Sequence, residues 1–99
     1  MITLFYVVSY DISDNKRRTR LSKYLQSYGV RVQYSVFEME LSKEQYGILK
    51  KGVRKLIEKG EDSIRIYSIC AECRKKIETI GKDKGHYYDD EFVVQKQLI

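Results

Sequence analysis

The apolar positions of this chain alternate between a period of two and a period near 3.6. Over residues 2–12 they fall on both sides of an extended segment, with Ile2, Leu4, Tyr6 and Val8 on one face and Phe5 and Val7 on the other. That pattern predicts a central strand covered on both faces. Ser13, Asp14 and Asn15 then offer N-cap side chains, and Leu21, Tyr24, Leu25 and Tyr28 recur at helical spacing up to Gly29, so a first helix is expected over residues 14–28. Residues 30–41 are extended by composition, long enough for one strand or a tight pair, with Val32, Tyr34 and Val36 alternating against Phe37 and Met39. Ser42 and Gln45 form a capping-box pattern, and Tyr46, Leu49, Val53 and Leu56 make the stripe of a second helix closed by Gly60. A further strand is expected over residues 63–70. Beyond it the signal weakens to a short strand at Ile77 and Ile80, a loop over 82–85 and a late extended piece at Phe92-Val93-Val94.

Strands alternating with helices in 99 residues predict a two-layer α/β sandwich, a single domain spanning 1–99, with both helices on one side of the sheet. The other face then needs cover. Phe5, Val7, Phe37 and Met39 are assigned to it, and an apolar sheet face without helices of its own predicts a two-fold dimer packed sheet to sheet.

Composition narrows the class. Charged residues are 33% and hydrophobic ones 42% of the chain, and no apolar run approaches the ~20 residues of a spanning helix. A soluble protein without membrane association is expected. The apolar N-terminus has no basic leader or small-residue cleavage site and is interrupted by Asp11, so it reads as a strand rather than a signal peptide, and cytoplasmic residence follows. Lysine and arginine total 19 against 14 acids, a net charge of +5. That excess suits a polyanionic partner without requiring one. The absence of proline and the presence of only six glycines argue against a linker, and no internal repeat is present.

The chemistry concentrates in VVSYDISDNKRRTR, residues 7–20, where a strand ends in a lone carboxylate and a helix begins with three arginines. On a helix, Arg17 and Arg18 flank Leu21, close to the apolar stripe, and Arg20 lies on the same side. They belong to the first turns, where the helix dipole disfavours cations and the free N–H groups favour an anion such as phosphate. Asp11 therefore has two readings. It either pairs with Arg17, Arg18 or Arg20 and steadies the turn, or it serves a site that receives an anion.

Tyr10-Asp11-Ile12-Ser13-Asp14 after an apolar strand, followed by Arg18 and Arg20, then Gly29, Arg31 and Val32-Gln33-Tyr34-Ser35-Val36-Phe37-Glu38, resembles the CRISPR-associated Cas2 family. The likeness covers the chain in layout and is specific over its first 41 residues, while Ile77-Glu78-Thr79-Ile80-Gly81 is similar more loosely. The resemblance implies an α+β fold: a ferredoxin-like βαββαβ two-layer sandwich that dimerises, with an extra C-terminal strand extending onto the partner's sheet. Residues 30–41 must then split into two strands near 33–35. It also implies a metal-dependent endonuclease acting on RNA or double-stranded DNA, taking part in spacer acquisition and antiviral defence beside the Cas1 integrase.

Carried over residue by residue, Asp11 is the magnesium ligand, with manganese as an alternative ion, and Tyr10 is catalytic beside it. Arg18, Arg20, Arg31 and Phe37 bind nucleic acid, and Arg17 has no assigned role. Each chain offers Asp11 as its one well-placed carboxylate and Asp14 as a weaker second, whereas two-fold symmetry would bring two Asp11 side chains to one ion. Tyr10 and Phe37 are open to two roles, stacking on a base and packing in the core. Two other functions compete: a DNA-binding scaffold in which the acid is catalytically idle, and a toxin-type ribonuclease resembling the virulence-associated protein D family.

Three further features carry less. Cys70-Ala71-Glu72-Cys73 reads as two reduced thiols after a strand rather than a redox centre or half of a zinc site, since there is no second pair. His86 with Asp89, Asp90 and Glu91 reads as a solvated acidic loop rather than a metal cluster. Lys50, Lys51, Arg54, Lys55 and Lys59 decorate the polar side of the second helix, a face that needs no partner.

Overall fold

The computed structural model describes residues 2–81 of the chain. The elements are β1 (Thr3–Asp11), α1 (Asn15–Gln26), β2 (Val30–Gln33), β3 (Val36–Ser42), α2 (Lys43–Leu56), β4 (Ser63–Ile69) and α3 (Ala71–Lys75). The expected first helix forms because Asp14 caps it, its carboxylate accepting the Arg17 N–H at 2.9 Å. The Ser42 capping box is complete: Ser42 Oγ accepts the Gln45 N–H, and Gln45 Oε1 accepts the Ser42 N–H. This helix ends at Leu56 rather than at Gly60, because residues 58–62 close their own turn through Glu61 N–H and Asp62 N–H to the Glu58 carbonyl.

The four strands form one sheet in the order β2-β3-β1-β4, each neighbouring pair antiparallel. Residues 30–41 do divide, at Tyr34-Ser35, with a register shift between Arg31 and Gln33 on the short edge strand. Both long helices cover one sheet face. There Tyr6, Val8 and Tyr10 of β1 and Phe37, Met39 and Leu41 of β3 meet Leu21 and Leu25 of α1 and Leu49 and Val53 of α2 in one buried cluster.

Phe37 and Met39 thus lie under the helices, not on the open face to which the alternation assigned them. Val8 pairs with Phe37 and Tyr6 with Met39, so all four share a face, whereas Phe5 and Val7 pair with Glu40 and Glu38. The open face is consequently a mixed surface of Phe5, Val7, Glu38, Glu40, Arg65 and Tyr67. Ile77 and Ile80 form no strand, and the short helix α3, which no period announced, precedes them. The expected loop at 82–85, the extended piece at 92–94 and the cluster at His86, Asp89, Asp90 and Glu91 lie outside the described residues. No helix among the described residues is long and apolar enough to cross a membrane.

Gly29 closes α1 by space rather than by a left-handed backbone. A Cβ there would collide with the Glu38 carbonyl oxygen and Met39 Cβ of β3, and the colliding oxygen is backbone, which cannot swing aside. Gly29→Ala is therefore expected to lower unfolding free energy by about 1–3 kcal/mol, the usual cost of overpacking. Urea denaturation measures this as a lower midpoint at unchanged slope.

Candidate functional site

Asp11 is the last residue of β1 and pairs in register with Ser63, the first of β4. Since Tyr10 faces the helices, strand alternation turns Asp11 to the open face of the sheet. Its side chain is exposed and, among the described residues, has no hydrogen bond or ion pair. The turn-steadying ion pair is thereby excluded. Each arginine expected to neutralise Asp11 is either committed elsewhere or unengaged.

Arg17 donates from Nε to Asp62 Oδ2 at 2.8 Å and from Nη2 to Asp62 Oδ1 at 3.1 Å, with Glu61 and Asp14 at 3.8 and 4.0 Å. This two-pronged pair ties α1 to the turn before β4, directly beside the Asp11 register position. Asp62 is also fixed by the Glu58 N–H at 2.8 Å. Arg18 donates to the Ile12 carbonyl at 2.9 Å, the Ser13 carbonyl at 3.3 Å and Asn15 Oδ1 at 2.6 Å, so it clamps the loop that leaves Asp11. Arg20 is exposed and unpartnered among the described residues.

The Arg17 guanidinium, then the Glu58 N–H, hold the Asp62 carboxyl below the usual carboxylate range. A depressed folded-state pKa contributes stability that is present above the unfolded value, about 4, and is lost as pH falls through the folded one. In Asp62→Asn the acid-side fall in melting temperature below about pH 4 should accordingly be shallower than in wild type. Equal slopes in a pH series of melting curves would contradict that role for the pair.

Arg31 reaches from β2 across to α1, where Nη2 donates to Ser22 Oγ, and its guanidinium lies 5.6 Å from the centre of the Phe37 ring. Its Nε is buried without a partner among the described residues. Between α1 and the β2–β3 turn lies an open cleft of about 290 Å3 whose wall includes Arg18, Lys23, Arg31, Asn15, Gln26 and Tyr34, with Tyr10 contributing to its lining. The cleft brings together Tyr10, Arg18 and Arg31. It does not include Asp11 or Arg20. Phe37 is 0% and Tyr10 5% exposed, their rings 6.3 Å apart, so both belong to the core and neither presents a face for a base. Lys23 and Gln26 escaped the sequence reading, and Asn15 entered it only as a cap candidate; the signal was a polar stripe at helical spacing, Asn15, Ser22 and Gln26, beside the apolar one.

The donor set for a metal is small. Among the described residues no group of three or more His, Cys, Asp or Glu is placed to hold an ion. Asp11 is one free carboxylate oxygen donor, which suits a hard cation that keeps several waters and takes one or two carboxylates. As a single carboxylate it fits a magnesium ion that keeps most of its waters.

A family profile described as CRISPR associated protein Cas2 matches residues 4–77. This chain belongs to the Cas2 family. It is 47% identical over 79 residues to a CRISPR-associated endoribonuclease Cas2 of Chloroflexus aurantiacus, an alignment covering 79% of this chain and 85% of that one. Its fold is similar to the crystal structure of Streptococcus pyogenes Cas2, with a TM-score of 0.72 and 30% identity over 78% of this chain and 99% of that one. It is equally similar, at a TM-score of 0.70 and 30% identity over 78% and 90% of the two chains, to a chain in a partial Cas6-RT-Cas1–Cas2 complex. The Cas2 profile spans β1 to α3 and so includes Asp11, the arginines of α1 and the cleft.

Proposed function

We propose that this Cas2-family chain is a magnesium-dependent endonuclease that hydrolyses phosphodiester bonds in RNA or double-stranded DNA. It would work as a cytoplasmic homodimer of ferredoxin-like domains beside a Cas1 integrase in spacer acquisition. One observation carries the reading: a carboxylate at the end of the central strand stays exposed and, among the described residues, unpaired although three arginines follow within nine residues. A carboxylate so close to cations and yet unneutralised is available to an ion. Because Asp11 is on the open sheet face, two copies packed through that face would bring their Asp11 side chains toward one two-fold axis.

Magnesium bound there, or manganese in its stead, would supply a water of lowered pKa and charge on a phosphate oxygen. The Asp11 side chains of the two copies would hold the ion. Arg20, free of partners among the described residues, would grip a backbone phosphate, and a guanidinium does so with a planar fork. Arg18 positions the Asp11 loop by its carbonyl contacts, and Arg31 with Lys23 gives the neighbouring cleft the charge to hold a second phosphate. Tyr10 supports the site from the core.

The scaffold reading has its own supporting observation, the likeness to a chain within a Cas1-containing complex. A cleavage assay on RNA and duplex DNA, with and without magnesium or manganese, separates the two. Cleavage that EDTA abolishes supports the nuclease. A protein that binds duplex DNA and supports integration with Cas1 but cuts neither substrate supports the scaffold.

A further inference from the structure

Cys70 and Cys73 are the feature of this chain that neither the sheet, the arginines nor Asp11 explains. Cys70 is the N-cap of α3 and Cys73 its third residue, and these two helix positions face one another across the first turn. Cys70 Sγ accepts the Cys73 N–H at 3.4 Å. Both thiols are free and exposed. No third metal-ligating side chain joins them among the described residues.

We propose that Cys70 and Cys73 form a reversible thiol–disulfide exchange site whose reactant is a low-molecular-weight disulfide of the glutathione class. The Cys73 N–H aimed at Cys70 Sγ, and then the Cys73 side chain, draw the Cys70 thiol below its ordinary pKa, while the neighbouring Cys70 raises that of Cys73. Cys70 is therefore the attacking sulfur and Cys73 the resolving one. The Cys70 thiolate attacks one sulfur of oxidised glutathione and releases one glutathione thiolate, which takes up a proton. Cys73 then loses its proton, attacks Cys70 Sγ and displaces the second glutathione. Two protein thiols and one glutathione disulfide become one protein disulfide and two glutathione thiols. In a reducing compartment the bond is transient.

The pair sits where such a bond would be felt. Cys73 is followed by Arg74, whose guanidinium lies 4.2 Å from the centre of the Phe5 ring and pairs with Glu40 at 3.3 Å, and Glu40 also accepts the Thr3 hydroxyl at 2.8 Å. Closing the first turn of α3 fixes the segment that rests Arg74 on the open sheet face.

The test uses the full chain, reduced and then equilibrated with oxidised and reduced glutathione at a series of ratios, trapped by alkylation under denaturing conditions and weighed intact. Wild type is expected to lose both alkylatable thiols together, carry no glutathione, and recover both on dithiothreitol. Cys73→Ser should accumulate one glutathione on Cys70, and Cys70→Ser should be modified several-fold more slowly. Serine also serves as an N-cap in place of Cys70, and Cys73 is an exposed third helical residue, so both variants should keep the wild-type melting curve. Two glutathiones on wild type, a disulfide between chains, equal rates in the two variants, or zinc retained at the thiols that blocks exchange would each overturn the proposal. The Cys70→Ser, Cys73→Ser double variant should bind and cut nucleic acid as reduced wild type does, so this test and the nuclease assay fail separately.

Discussion

Asp11→Asn is expected to reduce magnesium-dependent cleavage by on the order of a hundredfold or more while leaving the melting temperature unchanged or raised. A metal site supplies several kcal/mol of transition-state stabilisation, and each 1.4 kcal/mol or so is a factor of ten. The amide keeps the shape of the side chain but removes the charge that the ion needs. Folding should not suffer, because among the described residues Asp11 makes no hydrogen bond or ion pair that the substitution would break. Nucleic-acid binding at low salt should hold or tighten, since a negative charge facing phosphate is lost. The arginines give the internal control. Arg20→Ala should leave stability alone and lower the salt slope of binding by about one. Arg18→Ala should lower both binding and stability, because it releases the Ile12 and Ser13 carbonyls and Asn15. A clear fall in melting temperature for Asp11→Asn, with cleavage retained, would return Asp11 to a structural role.

Phe37→Ala should cost about 3–5 kcal/mol, as large-to-small changes in a tight core do. Against a total of about 5–15 kcal/mol for an ordinary domain, that leaves the variant close to unfolding. The ring is fully buried in register with Val8, stacks toward Tyr10 and lies under the Arg31 guanidinium, so its loss opens a cavity and loosens β2 together. Phe37→Leu refills most of the space and should retain both the fold and nucleic-acid binding. Denaturant titration and binding isotherms on the two variants distinguish the roles. A Phe37 that stacks on bases would show the reverse pattern, with binding lost in Phe37→Leu at nearly full stability.

What the sequence by itself determined was the order and kind of the long elements. Periodicity and caps are local, so the Asp14 cap, the Ser42–Gln45 box and the apolar stripes of α1 and α2 were legible from neighbours within a few residues. The likeness around Asp11, Arg18, Arg20 and Arg31 was legible for the same reason. Alpha-three was not, because five residues carry too little periodicity to read. Only the tertiary structure decided which sheet face each strand residue occupies. Placing the β2–β3 turn at Tyr34-Ser35 and pairing Val8 with Phe37 turns Phe37 and Met39 inward, and a register one residue different would have turned them out. It also decided how the arginines are spent. The partner that claims Arg17 is Asp62, 45 residues further along the chain, and no pattern near Arg17 could announce it. Among the described residues Asp11 stays free because folding delivers that distant carboxylate to Arg17 and the loop carbonyls to Arg18, and a contact between residues so far apart exists only once the sheet has closed.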